Sequence, residues 1–458
     1  MKKFFTYPVY FVIFLSIIGL ILYGSLLRHH YIGGKSFKSL QEIAVFFAKI
    51  PSTVKFIFKN KTVSADVITP ISETVYSDKK FFEKKFKSTS QQEELILISR
   101  YSGDIGKSII ELRDLNNFDI IHSYLPNIKK IYEKTDLTKE EFINLKAERG
   151  INRFYMMHPL ITEEGDLIFQ SHRGPLVKIN FDGEIIWVND EDIYHHSINT
   201  DLDQNIYVPI HKVPLTKKVC EYVGVSECGK KFFLDDAINI LNKDGKIIFS
   251  KSISEIFIEN EMSGRIFSQE NFRRDPIHLN DIQPVLTSTQ YFEKGDLFLS
   301  LRNSSMVVLY RPITNKIVKI IEGSFSYQHD VDILDEKTIS IYNNNSFSNY
   351  KNLEIVKNNN EIVTYNFETD SFSKKFEDTF KKNKINTPTQ GLADFLEDGS
   401  VMVEDSDNGR IFYINSEGDI IWEFNNLSSK KQVYNVFWTR MIDKEKSRKL
   451  RNIIKEKK

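Results

Sequence analysis

Apolar and polar residues alternate along most of the chain, in short segments that are separated by tight-turn residues. Three of these segments are near copies: KINFDGEIIWV (178–188), ILNKDGKIIFS (240–250) and YINSEGDIIWE (413–423). Each places an Asp-Gly or Glu-Gly pair between an Asn and an alternating strand, and glycine readily adopts the positive φ of a tight turn. The pattern predicts antiparallel β-hairpins.

Another strand precedes each hairpin, and such strands recur at DLIFQ (166–170), NIYVP (205–209), DLFLS (296–300), TISIY (338–342) and SVMVE (400–404). A weaker unit at 93–125 brings the total to six units of roughly 35 to 55 residues, each with about four strands. No interior helix is indicated. The all-β pattern predicts a six-bladed β-propeller over residues 91–442, with a closing strand at YNVFWTRMI (434–442). An open solenoid is the alternative, but a closed ring leaves only short, protected sheet edges.

The N-terminus has a different pattern, because an uncharged run extends from Phe4 to Leu27 between two basic flanks. Its apolar core of 20 residues is long enough to span a bilayer as a helix, and no A-x-A-like cleavage site follows it. We therefore predict an uncleaved, single-pass signal-anchor over residues 1–27 in the inner membrane, with the rest of the chain on the periplasmic side. Residues 28–90 are predicted to form a membrane-proximal helical or linker segment. Residues 443–458 are predicted to form a charged tail, either a solvated helix or disordered.

The charge balance argues against one class of partner. Lys and Arg together number 62, as do Asp and Glu, so the formal net charge is zero. Such a chain has no global attraction for nucleic acid. The sequence also has no glycine-rich phosphate-binding loop, so no nucleotide cofactor is expected.

The two cysteines, Cys220 and Cys228, lie eight positions apart with Gly224 midway between them. In an oxidising compartment, a pair at this spacing can close a small loop with a disulfide. Two unpaired structural thiols are the alternative.

Histidines recur at one position of the repeating unit. His196 and His329 each lie nine residues before the start of the first long strand of their unit, and His158 lies eight before it. His278 has a similar local sequence followed by an insertion, whereas Gln390 takes the position in the sixth unit. Because the innermost strand of each blade lines the channel of a propeller, these side chains are predicted to converge on one channel mouth.

A second set of polar residues lies six positions beyond the start of the same strands, at His172, His211 and Arg302. His195 stands next to His196, but neighbouring strand residues point to opposite faces and the repeat favours His196. A lone histidine at a strand entrance is usually structural, which is the favoured interpretation of His158 taken alone. Asp330 and Asp332 are expected to set the geometry of a turn.

Two chemistries fit three converging histidines and an arginine. Neutral imidazoles could hold a metal ion, as in open catalytic zinc sites. Arg302 argues against a metal, because a permanent cation beside a dication is unfavourable and the repeat gives Arg302 no carboxylate partner. Arginine suits a tetrahedral oxyanion, and histidine can serve as a nucleophile or as a general acid and base. The pattern favours transfer of a sulfuryl or phosphoryl group without a metal.

Four stretches also resemble those of a known family, the PAPS-independent arylsulfate sulfotransferases. They are HHSINTDLDQNIYVP, IHLNDIQPV with LFLSLRN, QHDVDILDEKTISIYNN, and WEFNN with YNVFWTRMI, and the likeness extends over about residues 150–442. The family's fold, a six-bladed propeller, agrees with the repeat count. The resemblance implies that a small phenolic sulfate ester donates its sulfuryl group to the enzyme and that a second phenol accepts it, with no nucleotide donor.

The resemblance also implies roles for individual residues. His329 would match the nucleophile that is transiently sulfated, and His278 with Arg302 would match the groups that bind the sulfuryl oxygens. His196 would match the remaining histidine, which handles the phenol proton. Two alternatives stay open: a non-catalytic envelope propeller that acts as a binding or assembly scaffold, and a metal-dependent propeller lyase or hydrolase.

Overall fold

The computed structural model describes residues 6–31, 36–59, 79–85, 93–139, 154–171, 173–225, 227–229, 232–268, 272–349 and 353–457. The chain divides into two compact units, Met1–Asp66 and Val67–Lys458. In the part of the chain that the structure describes, the first unit is helical and every strand lies in the second.

The N-terminal unit contains helices α1 (Thr6–Tyr31) and α2 (Lys38–Lys59). The two helices pack together, and the Tyr23 hydroxyl donates to the carbonyl oxygen of Ala44 (3.0 Å). The part of α1 at Val9–His30 is long and apolar enough to cross a membrane. Its large apolar side chains are exposed, as a lipid-facing helix requires.

The second unit is built mainly from strands. In chain order they are β1 (Phe82–Lys84), β2 (Leu95–Ser102), β3 (Lys107–Asp114), β4 (Ile120–Tyr124), β5 (Met157–Ile161), β6 (Leu167–Gln170), β7 (Gly174–Ile179), β8 (Ile185–Tyr194), β9 (Asn199–Thr200), β10 (Ile206–His211), β11 (Asp236–Leu241), β12 (Ile247–Ser252), β13 (Leu279–Pro284), β14 (Leu297–Leu301), β15 (Met306–Arg311), β16 (Lys316–Glu322), β17 (Val331–Asp335), β18 (Thr338–Asn343), β19 (Ser346–Ser348), β20 (Glu354–Val356), β21 (Glu361–Asn366), β22 (Ser371–Lys375), β23 (Leu392–Phe395), β24 (Val401–Asp405), β25 (Arg410–Ile414), β26 (Ile420–Asn425) and β27 (Arg440–Ile442).

The prediction of no interior helix is wrong. Among its described residues, the α-helices of this unit are α3 (Ile128–Lys134), α4 (Lys217–Tyr222), α5 (Ile253–Glu259), α6 (Gly264–Phe267), α7 (Glu377–Asn383) and α8 (Lys444–Lys457). All except α8 have seven residues or fewer, which is too short to give a clear helical period in the sequence.

The strands form an all-β, propeller-like arrangement of antiparallel sheets. Four separate sheets have four or five strands, in the orders β27-β2-β3-β4, β13-β14-β15-β16, β17-β18-β21-β22 and β1-β26-β25-β24-β23. The strands β5 to β12 form one continuous eight-stranded sheet instead of the two separate sheets that the repeats predict. Strand β8 causes the difference, because it pairs with β7 and then, at Tyr194 and Ile193, with Ile210 and His211 of β10.

The two ends of this unit close the arrangement. Strand β27 pairs with β2, with Ile442 opposite Leu95, and β1 pairs with β26, with Phe82 opposite Phe424. The sheet at each end of the unit therefore contains a strand from the opposite end of the chain. Apolar side chains of the first and last sheets also share one core, which includes Trp422. Within the predicted closing strand at 434–442, the strand that forms is β27. Strand β1 lies before residue 91, the predicted start of the propeller.

The charged C-terminal tail is a helix with one buried face, not a fully solvated segment. Leu450 and Ile454 of α8 pack into the core formed by the first sheet and strands β5 to β7. Ser447 is also buried, and its Oγ accepts a hydrogen bond from the backbone N–H of Leu95 (2.9 Å). The buried residues are spaced three and four apart, which gives one apolar stripe between the charged positions.

Aspartates at the innermost strands tie consecutive sheets together. Each carboxylate accepts a hydrogen bond from a backbone N–H of the next unit: Asp281 from Val331 (3.2 Å), Asp330 from Ala393 (3.1 Å) and Asp394 from Met441 (2.8 Å). The expectation that Asp330 sets only the geometry of a turn is therefore wrong. Its carboxylate satisfies a buried donor of the neighbouring sheet.

The guanidinium of Arg440, which is partly buried, lies among these carboxylates. It donates to the backbone carbonyls of Pro159 (2.7 Å) and Ile198 and to Oδ1 of Asn199 (3.2 Å). Burial raises the pKa of Asp281 and of Asp394 to about 6 each, despite the opposing charge of Arg440. Burial, followed by the neighbouring carboxylates, raises the pKa values of Asp330 and Asp332 well above the usual range. One arginine does not compensate all of these acids.

We expect Asp394→Asn to stabilise the protein at alkaline pH. Because the pKa of Asp394 is about 6 in the folded chain and about 4 in an unfolded one, folding favours its protonated form. That contribution is fully present below about pH 4 and is lost as pH rises through about 6. An asparagine can still accept from Met441 but carries no charge. The variant should match the wild type near pH 4.5 and exceed its unfolding free energy at pH 8 by about 1–3 kcal/mol.

Denaturant unfolding of the full-length chain at both pH values measures this difference. Asp244→Asn, in an exposed turn, gives the background effect of removing a surface carboxylate. A loss of stability in Asp394→Asn that is as large at pH 8 as at pH 4.5 would contradict the explanation.

Candidate functional site

The predicted histidines lie where the innermost strands begin, and most share an unusual backbone conformation. His158, His196 and His278 have φ values of 49°, 57° and 54°, and Gln390 has 57°. In the fifth unit the positive φ falls on Tyr327 (53°), two residues before His329. Positive φ is uncommon for residues other than glycine and is concentrated at functional sites. Three histidines and Gln390 thus share the positive φ at the repeat position, whereas in the fifth unit the positive φ precedes His329 by two residues.

The four histidine rings come close together. The ring centre of His196 lies 4.9 Å from that of His278, 6.0 Å from that of His158 and 6.3 Å from that of His329. His158, His196 and His329 are buried, and the side chain of His278 is 18% exposed. We call these four rings the histidine cluster.

Hydrogen bonds define the tautomer of His329. The side-chain nitrogen of Asn344 donates to the carbonyls of Thr387 (3.1 Å) and Gln390 (2.7 Å), so its Oδ1 faces Nδ1 of His329 at 2.8 Å. The N–H of Gln390 donates to Nε2 of His329 (3.0 Å). The proton therefore lies on Nδ1 and the lone pair on Nε2. Burial, followed by the charge of Arg302, holds the pKa of His329 well below its usual value, so the ring is neutral.

Arg302 follows β14 and has a carboxylate partner, contrary to the prediction. Its Nη2 lies 2.5 Å from Oε2 of Glu354, and its Nη1 donates to Oδ1 of Asn303 (2.9 Å). The guanidinium carbon lies 4.5 Å from the centre of the Tyr327 ring. Glu354 belongs to β20, in an insertion between β18 and β21 that the repeat could not align.

Two other members of the histidine cluster have polar partners. Nδ1 of His278 lies 2.8 Å from Oδ2 of Asp275, three residues earlier in the chain. Nδ1 of His196 lies 2.6 Å from Nδ1 of His195. The site thus combines a neutral imidazole, a guanidinium and two histidines that contact further polar groups.

Comparison with known families decides which family the chain represents. The family model for arylsulfotransferase (ASST) matches residues 158–427, which is more than half of the chain and includes every member of the histidine cluster. The chain belongs to the arylsulfotransferase family. This result confirms the resemblance found in the sequence.

Similarity of the arylsulfotransferase chain to solved structures is weak. A protein of unknown function from Bacteroides caccae is 12% identical, with 75% of this chain and 98% of that chain covered and a TM-score of 0.46. A streptogramin B lyase is 11% identical, with 79% and 97% covered and a TM-score of 0.37. Virginiamycin B lyase from Staphylococcus aureus is 12% identical, with 58% and 69% covered and a TM-score of 0.33. These likenesses carry no functional argument. No curated protein matches the chain in sequence.

The predicted second layer is only partly brought to the histidine cluster of this arylsulfotransferase. Arg302 is close to His329, whereas His211 lies behind the cluster, where its ring stacks on His195 with 4.1 Å between centres. His172 lies outside the described residues. Both candidates at 195 and 196 have polar contacts: His196 lies in the cluster, and His195 connects it to Asp236.

A possible set of metal ligands lies behind the cluster as well. His195, His211 and Asp236 each place a ligand atom within 4.8 Å of the others. However, Nδ1 of His211 already lies 2.7 Å from Oδ1 of Asp236, which is a hydrogen-bond distance. His211 and Asp236 are therefore partners of each other, and Nε2 of His195 lies 3.4 Å from the same carboxylate oxygen.

The two cysteines are bonded to each other and lie apart from this chemistry. Cys220, in α4, and Cys228 form a disulfide with 5.4 Å between their Cα atoms. They pack in a small apolar cluster with Leu215, Val219 and Phe233. The disulfide closes the loop after α4 and contributes no group to the histidine cluster.

Sequence reasoning missed four polar residues of the site. They are Asn344, Glu354, Asp275 and Asp236. The sequence could have suggested two of them: Asp275 stands three residues before His278, and Asn344 lies in the run of asparagines at the end of β18. Glu354 and Asp236 lie in other segments, and only the folded arrangement brings them to the site.

Proposed function

We propose that this chain transfers a sulfuryl group from an aryl sulfate ester to an acceptor phenol through a covalent intermediate on Nε2 of His329, without a nucleotide donor or a metal. The observation that carries the proposal is the state of His329: a buried, neutral ring with its lone pair on Nε2, beside the guanidinium of Arg302. A neutral imidazole is the nucleophilic form. Family membership supports aryl substrates.

The donor half-reaction forms one bond and breaks one. Nε2 of His329 attacks the sulfur atom, the S–N bond forms, and the S–O bond to the aryl group breaks with its electron pair going to the phenolate. His196, protonated at this stage, gives a proton to that phenolate. Arg302 and His278 offset the charge on the sulfuryl oxygens. The N–H of Gln390, which faces Nε2 before reaction, can then donate to a sulfuryl oxygen.

The acceptor half-reaction reverses these steps with a second phenol. His196 removes the phenol proton, the phenolate oxygen attacks sulfur, and the S–N bond breaks with its electron pair returning to Nε2. His329 and His196 are thereby restored to their starting protonation states. The cycle balances without an oxidant, a reductant or an added proton.

The proposal extends to architecture and location. We count the eight-stranded sheet as two blades joined through β8, which gives six blades with the four separate sheets. The propeller of residues 91–442 would carry the transferase site, residues 28–90 would link it to the anchor, and residues 443–458 would follow it. We assign α1 as a single-pass anchor in the inner membrane with the propeller on the periplasmic side. The apolar length of α1 and the Cys220–Cys228 disulfide support this arrangement.

Glu354 should compete with the substrate for Arg302, because its carboxylate occupies the position of an anion. We expect Glu354→Gln to lower the KM for an aryl sulfate by about 3- to 10-fold with little change in kcat, in line with the modest free energy of a partly exposed ion pair. Steady-state kinetics with varied donor measures this. Glu361→Gln, which removes a carboxylate of β21 that is paired with Lys374 of β22, is the matched control. A raised KM in Glu354→Gln would instead make Glu354 a residue that orients Arg302.

The test of the function uses the full-length chain in detergent with a chromogenic aryl sulfate, with and without a phenol. We expect an initial burst of released chromophore without acceptor, phenol-dependent turnover, and parallel lines in double-reciprocal plots, as ping-pong kinetics require. Absence of burst and turnover across a broad panel of aryl sulfates would overturn the proposal in favour of a binding scaffold. Turnover abolished by a chelator would favour a metal-dependent enzyme.

A further inference from the structure

A chain of contacts leads from the histidine cluster to a buried carboxylate. Nδ1 of His196 lies 2.6 Å from Nδ1 of His195, and Nε2 of His195 lies 3.4 Å from Oδ1 of Asp236. The same oxygen lies 2.7 Å from Nδ1 of His211, and Oδ2 of Asp236 accepts from the N–H of Leu279 (2.5 Å). All three histidines and the aspartate are buried.

Asp236 is fully buried, and hydrogen-bonding groups of His211 and Leu279 contact its carboxylate. Burial by itself would raise its pKa, but His195 and His211 hold that pKa well below the usual value. A buried carboxylate only accepts hydrogen bonds, and its charge needs compensation nearby. It therefore selects tautomers that place N–H groups toward it.

The position of the proton on His195 determines the position of the proton on His196. If Nε2 of His195 lacked a proton, its lone pair would face the Asp236 carboxylate at 3.4 Å, which is repulsive. Burial lowers the pKa of His195, so this ring carries one proton. With that proton on Nε2, Nδ1 of His195 is an acceptor, and the 2.6 Å contact requires a proton on Nδ1 of His196. The lone pair of neutral His196 is then on Nε2.

We propose that Asp236 and His195 are positioning residues that make Nε2 of His196 the atom that gives and takes the phenol proton. The inference rests on the function proposed above and deepens it. Asp236 also supplies the negative charge that stabilises His196 when that ring is protonated. The proton leaves Nε2 for the departing phenolate and returns from the acceptor phenol, while Nδ1 of His196 keeps its proton throughout.

Other charged or titratable groups surround these rings. They are Arg173, His158, His211, His278, His329 and Asp235. Asp235 provides a matched control, because it is an adjacent, equally buried acid whose carboxylate bonds to Ser252 and Ser254 and not to the histidines.

The decisive comparison uses donors with different leaving groups, in the full-length chain. A weakly acidic phenol needs a proton as it leaves, whereas a nitrophenolate does not. Asp236→Asn should slow phenol release from esters of weakly acidic phenols about 10²- to 10³-fold and from nitrophenyl sulfate less than about 10-fold. Asp235→Asn should slow both equally, if at all. Equal slowing of both donors by Asp236→Asn would reduce Asp236 to a structural role and overturn the proposal.

A second measurement does not depend on activity. Nitrogen-15 NMR of ring-labelled histidine in the full-length chain reports which nitrogen carries the proton, with the His196 signals identified by their loss in His196→Gln. We expect Nδ1–H for neutral His196 in the wild type and in Asp235→Asn, and a shift toward Nε2–H in Asp236→Asn. The opposite tautomer in the wild type overturns the inference, even if Asp236→Asn does not fold. So does a divalent metal ion that purifies with the wild type and is lost in Asp236→Asn. If the wild type shows the expected tautomer but has no transferase activity, the proposed function is refuted and the inference about the tautomer is not.

Discussion

His329→Ala should abolish sulfuryl transfer, with a loss of about 10⁴-fold or more in the rate of phenol release, because no S–N bond can form without the imidazole. Removal of the ring also leaves the side chain of Asn344 and the N–H of Gln390 without their partner. We expect a loss of stability of about 1–3 kcal/mol from these unsatisfied groups, with the fold retained. A single-turnover burst with an aryl sulfate measures the chemistry, and thermal unfolding measures the stability.

Two further variants separate chemistry from structure at this position. His329→Gln offers an amide that can contact Asn344 and Gln390 but is not a nucleophile, so it should be inactive and more stable than His329→Ala. His122→Ala removes a histidine that contacts the carbonyl of Phe181 in the first sheet and should keep the wild-type burst. A burst of normal size in either His329 variant would show that another residue is the nucleophile.

Arg302→Lys should lower kcat/KM by about 10²- to 10³-fold in both half-reactions, although the charge is retained. A guanidinium presents a planar pair of donors to two sulfuryl oxygens, whereas an ammonium offers one compact charge. The lysine would also lose the contact of the guanidinium with the Tyr327 ring. Rates with a fixed donor and varied phenol, and then with a fixed phenol and varied donor, separate the two half-reactions.

The matched control for this substitution is Arg311→Lys. Arg311 pairs with Glu293 and Asp296 in the same sheet but outside the histidine cluster, so activity should stay near the wild-type value. If Arg302→Lys kept activity within about fivefold of the wild type, bidentate recognition of the sulfuryl group would be excluded.

The local elements of the fold could be predicted because their signals are local. The stretches TISIY, DLFLS and SVMVE correspond to strands β18, β14 and β24 within one residue at most positions, since alternation and turn residues act over a few positions. The closing strand at 434–442 was indicated and corresponds to β27, but the pairing of β8 with β10 and of β1 with β26 could not be predicted. These pairings join segments that are distant in sequence, and hydrophobic alternation carries no information about partners.

Residues of the candidate site, like the strands, could be predicted only where the sequence signal is local. The repeat picked out His158, His196 and His278 at a position with positive φ, and it picked out His329, whose ring joins theirs although the positive φ of its unit is on Tyr327. It could not find Glu354, which an insertion brings to Arg302, nor Asp236, whose link to the cluster passes through His195. Such contacts depend on side-chain packing between sheets, which no single repeat unit records.

The most direct test of the central claim is to locate the covalent intermediate. Full-length protein would be mixed with an aryl sulfate in the absence of phenol, digested under alkaline conditions and mapped by mass spectrometry. The mechanism predicts a mass increase of one SO3 group on the peptide that contains His329, lost on addition of phenol and absent from His329→Gln. Phenol-dependent turnover with no modified peptide, or with the group on a different residue, would contradict it.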